Sequence, residues 1–355
     1  MAATRRSSRL SSQAAKAQEP EAMPPPPPPS RPAAKRKAPS GAASPGPTTP
    51  VKKRRAPIPA PPPLTPTPSA VGIIAEPAAK MGKAPNAFVN RLAHPEASNA
   101  TLLSPETSRV VAQRQADAVS PSKAPAKRTT TDNLLKVACD YLISVDERMR
   151  PLVEKNHCRI FSPEGLAEQI DPFESLASGI ISQQVSGAAA KSIKAKFVSL
   201  FDESRFPHPS EVAACSIERL RTAGLSQRKA EYVKGLAEKF CNGDLSAELL
   251  RDAPYEEVFE RLIAVRGLGK WSVEMFACFG LKRMDVFSVG DLGVQRGMAA
   301  FVGRDVAKLK AKGGGKWKYM SEKDMEEIAS KFAPYRSVFM WYMWRVEETD
   351  ISTME

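Results

Sequence analysis

Histidine and cysteine are scarce in this chain of 355 residues, which has three of the first and five of the second. The tightest cysteine spacing, Cys139 to Cys158, is 19 residues, and no Cys-x-x-Cys pair occurs. Zinc ribbons, zinc fingers and iron–sulfur sets need closely paired ligands, so these are excluded. No apolar run approaches the roughly 18–20 residues of a membrane span, and nothing at the start reads as a secretory leader. The expectation is free thiols in a reducing compartment, with no membrane among the partners. Proline is missing from most of the chain: 25 of the 32 fall in residues 1–130, leaving 32 − 25 = 7 for the rest. Net positive charge is missing from the same part. Residues 1–130 hold 20 Lys+Arg and 6 Asp+Glu, so the remainder has 52 − 20 = 32 basic and 39 − 6 = 33 acidic residues, a net of −1. Any polyanion-binding surface there must be local rather than a bulk property.

What is present in residues 1–130 is proline, alanine, serine and basic charge. Pro24–Pro29 and Pro61–Pro63 leave too few large apolar groups to offset the entropy of ordering, which predicts a disordered tail with stretches of polyproline II. Lys35-Arg36-Lys37 and Lys52-Lys53-Arg54-Arg55 are spaced like a bipartite nuclear-import signal, which predicts an import receptor as partner and the nucleus as location. A solvated charge run with no specific role is the alternative. The stretch Val71–Val111 is less biased (Ile73, Ile74, Phe88, Leu92, Leu102, Leu103) and is a candidate partner-binding segment.

From Thr131 to about residue 350 the pattern is helical. Leu134, Leu135, Ala138, Tyr141, Leu142 and Val145 recur at helical spacing. Asp171-Pro172-Phe173-Glu174 has the cap, first-turn proline and acid of a helix start, Ser186 and Ser226 are further caps, and Gly224 and Gly243 are stops. Helices are also predicted over Tyr255–Ile263, Ser321–Phe332 and Arg336–Val346. No period-two alternation is sustained, so residues 131–350 are expected to form one all-α domain.

Two features in that domain carry chemistry. Gly267 and Gly269 separate the apolar end of one helix (Leu262, Ile263, Val265) from the start of another (Val273, Phe276), with Lys270 directly after. The new helix would aim unpaired N–H groups and a cation at a phosphate, and the carbonyls of Val265 and Gly267 could hold a monovalent cation. An ordinary helix–helix turn explains the glycines equally well. Asp291 follows Gly290 and opens the next helix, which fits a plain N-cap or a carboxylate that faces developing positive charge. Asp285 is an alternative six residues earlier.

Taken together, seven ordered blocks resemble the helix-hairpin-helix superfamily of DNA glycosylases, and within it the 3-methyladenine DNA glycosylase II branch. The blocks are Ile180–Ser186, Phe206–Pro209, Gly224–Ser226, Arg228–Ala230, the hairpin, Asp285–Asp291, and Pro334–Ser337 with Trp341 and Trp344. The resemblance spans roughly residues 150–347. It implies two helical subdomains with the active-site cleft between them, no cofactor, a monomer, and double-stranded DNA containing damaged bases as partner. It assigns Asp291 as the catalytic carboxylate, Gly267, Gly269 and Lys270 as a phosphate clamp, and Gln184 as the wedge that fills the hole left by an extruded base. Trp271, Trp344 and Met275 would form the base pocket, with Met275 standing where the bacterial enzyme has an aromatic.

Bifunctional relatives place a nucleophilic lysine where this chain has Trp271, and indole cannot form a Schiff base. The resemblance therefore implies hydrolysis of the N-glycosidic bond of alkylated purines without strand cleavage. A same-fold enzyme for oxidised purines or uracil, and a DNA-binding module without chemistry, are the competing readings.

Overall fold

The computed structural model describes residues 91–111, 129–202, 205–311, 317 and 319–352. Lys35–Lys37 and Lys52–Arg55 lie outside the described residues. The helices, in chain order, are α1 (Leu134–Val145), α2 (Met149–Lys155), α3 (Pro163–Ala167), α4 (Pro172–Ser182), α5 (Gly187–Val198), α6 (Pro209–Ala214), α7 (Ile217–Thr222) and α8 (Gln227–Cys241). They continue as α9 (Ala247–Asp252), α10 (Tyr255–Ile263), α11 (Lys270–Met275), α12 (Leu292–Phe301), α13 (Val306–Ala311), α14 (Glu322–Ser330) and α15 (Arg336–Ser352). Among the described residues none is long and apolar enough to cross a membrane.

Local chemistry sets where these helices begin. Asp171 Oδ1 accepts from the N–H groups of Phe173 (2.8 Å) and Glu174 (3.0 Å), while Ser186 and Ser226 cap α5 and α8 through Ala189 N and Lys229 N. Each such cap is worth about 1 kcal/mol. Gly224 and Gly243, both at positive φ, stop α7 and α8 as their sequence positions predict.

The helices fall into two groups. In one, α8 packs on α4, α6 and α7; in the other, α15 lies along α12 and also meets α1, α2 and α14. The chain between the groups, α10 and α11, runs into a π-turn over Phe276–Gly280 that packs on α4. A Cβ on Gly280 would sit 2.6 Å from the Phe276 ring, so only glycine lets this widened turn close.

The structure corrects the boundary of the tail. Part of it, 91–111, packs on the domain, with Thr101–Leu102 paired in parallel with Gln169–Ile170. Ala100 and Leu102 are buried, and the buried Asn99 donates to the carbonyl of Lys282 while Ser98 Oγ donates to that of Leu281. Arg91 reaches the carbonyl of Leu166, Arg283 reaches that of Glu96, and His208 Nδ1 contacts that of Pro105. The end of the stretch singled out as partner-binding thus has this same domain as its partner. Two paired residues leave no periodicity to detect, which is why composition assigned them to the tail.

Candidate active site

The hairpin between α10 and α11 is closed by Leu268 N donating to the Val265 carbonyl at 3.1 Å. Gly267 sits at φ +97°, and a Cβ there would come within 2.4 Å of the Tyr232 ring, so backbone conformation and close packing both require glycine. Gly269 differs. Its φ is −94°, and nothing lies within 4 Å of where its Cβ would be. Its small size keeps open the space in front of the first amides of α11. Beside that space the Lys270 side chain is exposed, 3.8 Å from Glu274.

The two carbonyls named as cation ligands are both engaged. Val265 O accepts the Leu268 N–H, and Gly267 O accepts from Gln183 Nε2 at 2.9 Å. A carbonyl oxygen has two acceptor positions, so each keeps one beyond the bond it accepts. Among the described residues, no group of three or more His, Cys, Asp or Glu side chains is placed to hold a metal ion.

Asp291 is the N-cap of α12 and is 1% exposed. Its Oδ1 accepts from Val294 N (2.8 Å) and from the indole Nε1 of Trp344 (2.9 Å). Its Oδ2 accepts from the indole Nε1 of Trp271 (2.8 Å). Trp344 and Trp271, respectively 53 and 20 residues from Asp291 in sequence, therefore grip one carboxylate from two helices. Bonds to an ionised acceptor are roughly twice as strong as neutral ones. A carboxylate has about four acceptor positions, so three donors leave one on Oδ2.

Two glycines of α12 make this possible. A Cβ on Gly293 would lie 2.8 Å from Trp344 Cδ1 and 3.1 Å from Asp291 Oδ1. A Cβ on Gly297 would fall 1.8 Å from the Met343 carbonyl, so α12 and α15 touch backbone to backbone. Sequence reasoning missed both, although two glycines four apart just after Asp291 signal close helix packing. The Trp344 ring also packs on Phe279, 5.4 Å between centroids.

The remaining candidates separate clearly. Asp285 is held in a two-pronged ion pair with Arg336 (2.6 and 2.9 Å), so it is not the free carboxylate of the site. Met275 follows Trp271 by one turn and is completely buried in the core. Gln184 is exposed and held at φ +56°, a left-handed conformation that costs a glutamine on the order of 1 kcal/mol.

Residues 177–312 match the HhH-GPD superfamily of base excision DNA repair proteins. A DNA-3-methyladenine glycosylase of Saccharomyces cerevisiae is 34% identical over 274 residues, covering 70% of this chain and 91% of the yeast protein. DNA-3-methyladenine glycosylase 1 of Schizosaccharomyces pombe is 31% identical over 209 residues, covering 59% of this chain and 86% of that one. A solved structure of S. pombe 3-methyladenine DNA glycosylase in complex with abasic DNA aligns at 27% identity with a TM-score of 0.46, covering 59% of this chain and 95% of that one. With the hairpin and the capped carboxylate in place, and with a relative matched over nine-tenths of its length, this chain belongs to the HhH-GPD superfamily, in its 3-methyladenine DNA glycosylase branch.

Proposed function

We propose that the protein is a monofunctional DNA glycosylase that removes alkylated purines, such as 3-methyladenine and 7-methylguanine, from duplex DNA. The observation that carries this is the seat of Asp291, a buried carboxylate held by one backbone and two indole N–H groups with an acceptor position left on Oδ2. Cleaving an N-glycosidic bond develops positive charge on the sugar. A fixed carboxylate stabilises that charge and can orient, and take a proton from, the water that attacks the anomeric carbon. A methylated purine carries positive charge and leaves without being protonated first, so the site needs no acid. Nothing nucleophilic stands where bifunctional relatives have lysine, because Trp271 occupies that position and spends its N–H on Asp291. The product is an intact abasic site.

The flipped base would stack against the indoles of Trp271 and Trp344, where a cationic ring over an indole face gains on the order of 1–2 kcal/mol when desolvated. Gly269 and Lys270 would hold a phosphate, and Gln184 would fill the gap in the duplex. The names of the two yeast relatives agree with this substrate class. The test is release of 3-methyladenine and 7-methylguanine from methylated DNA. Wild type should release both, and Asp291→Asn should be slower by about a hundred- to a thousandfold. No release by wild type removes the proposal; equal release by the mutant removes Asp291 from it. For the tail we propose nuclear import through Lys35–Lys37 and Lys52–Arg55, and deletion of Lys52–Arg55 should lower nuclear accumulation in cells while purified enzyme keeps its activity.

A further inference from the structure

Gln183, the neighbour of the proposed wedge, has no assigned role, yet its side chain bridges the wedge loop and the hairpin. Its Nε2 donates to the Gly267 carbonyl at 2.9 Å, across 84 residues of sequence. Its own carbonyl accepts from Lys229 Nζ at 2.6 Å, and the same ammonium donates to the Ile181 carbonyl at 2.7 Å. Those carbonyls, of the last turn of α4 and of its C-cap residue, are ones an α-helix leaves without helical partners. Lys229 lies on the first turn of α8. Tyr232, three residues later on the same helix, is the ring that packs against Gly267. One face of α8 therefore holds the wedge loop through Lys229 and the hairpin through Tyr232, and Gln183 closes the loop between them.

We propose that Gln183, held by Lys229, is the positioning residue that fixes the wedge at a set distance from the phosphate clamp. Extruding a nucleotide requires the backbone to be gripped at one point while a side chain enters the stack at another, and a slack connection between the two lets the pair close again. The Gln184 backbone, at φ +56°, needs such support on its N-terminal side. This rests on the base-flipping reading with Gln184 as wedge.

The test uses the full-length protein and a duplex with 2-aminopurine beside a tetrahydrofuran abasic analogue, whose fluorescence reports entry of the wedge. Affinity for an undamaged duplex is measured alongside. Gln183→Met keeps the length and removes the donor. Loss of one hydrogen bond should raise the protein concentration needed for the fluorescence change by up to about tenfold, with undamaged-duplex affinity held within about twofold. Lys229→Met should do the same and Lys229→Arg should restore it. A fluorescence response of Gln183→Met equal to wild type, or a parallel loss in both measurements, overturns the proposal. Gln184→Ala separates the layers. If it abolishes the response while Gln183→Met leaves it intact, the wedge stands and the positioning role falls; if it leaves the response intact, the wedge reading falls and takes the positioning role with it.

Discussion

Asp171 and Asp291 both open a helix, both lie in the core region of the domain, and both accept a backbone N–H on Oδ1 at 2.8 Å. They differ in what else reaches them. Asp171 takes a second backbone N–H, from Glu174, and burial pushes its pKa up to about 6, with the Glu174 charge pushing the same way against the two backbone bonds. Asp291 instead takes two indole N–H groups from side chains far away in the chain. The first arrangement completes a helix; the second holds a carboxylate by its surroundings so that one oxygen keeps a defined direction. On the proposed reading, what sets Asp291 apart from an ordinary N-cap is its distant partners, not its place on the helix.

The comparison breaks most sharply if the indole donors are removed. Trp344→Phe and Trp271→Phe should each slow excision by about ten- to a hundredfold, the worth of a hydrogen bond to a charged group. Asp171→Asn, in the same assay, should stay within about twofold of wild type. Excision by the phenylalanine variants at the wild-type rate would reduce the indoles to packing.

A smaller effect concerns stability and pH. Because the folded-state pKa of Asp171 lies above the usual 3.8, its protonated form favours the fold, fully below about pH 4 and less as pH rises through about 6. Wild type should therefore lose about 1–3 kcal/mol relative to Asp171→Asn between those limits, read from urea unfolding at each pH. Parallel curves for the two proteins would show that the burial penalty is already relieved. The mildest variant is Gly293→Ala. Its methyl must displace the edge of Trp344, so excision should fall by roughly three- to tenfold, about 1 kcal/mol, with a shift in melting temperature of a few degrees. An unchanged rate would mean that the indole yields without losing its bond to Asp291.

Much of the fold was legible because its signals are local. The caps at Asp171, Ser186 and Ser226, the stops at Gly224 and Gly243, and the helix over Tyr255–Ile263 each follow from a few adjacent residues, and the structure has them. The hairpin glycines were legible as a pair but not as individuals: Gly267 answers to Tyr232, 35 residues earlier, and Gly269 to an open space. Sequence marks the tryptophans as pocket walls but not that their N–H groups turn to the carboxylate, a contact decided for Trp344 by how α15 lies on α12 and for Trp271 by where α11 sits. Gln183 and the segment 91–111 were hidden for the same reason. Their partners are carbonyls, which every residue carries and no sequence pattern marks.

The contact of α12 with α15 at Gly297 and the Met343 carbonyl has a mechanical consequence. Two helices that touch through their backbones have no flexible side chains between them to take up a shift, so Asp291 on one and Trp344 on the other move as a single block. On the proposed reading, the carboxylate is therefore presented to a substrate in a set place. We propose that the rearrangement bringing a sugar to Oδ2 takes place in the nucleic acid, so that nucleotides that already leave the helix easily would reach it first.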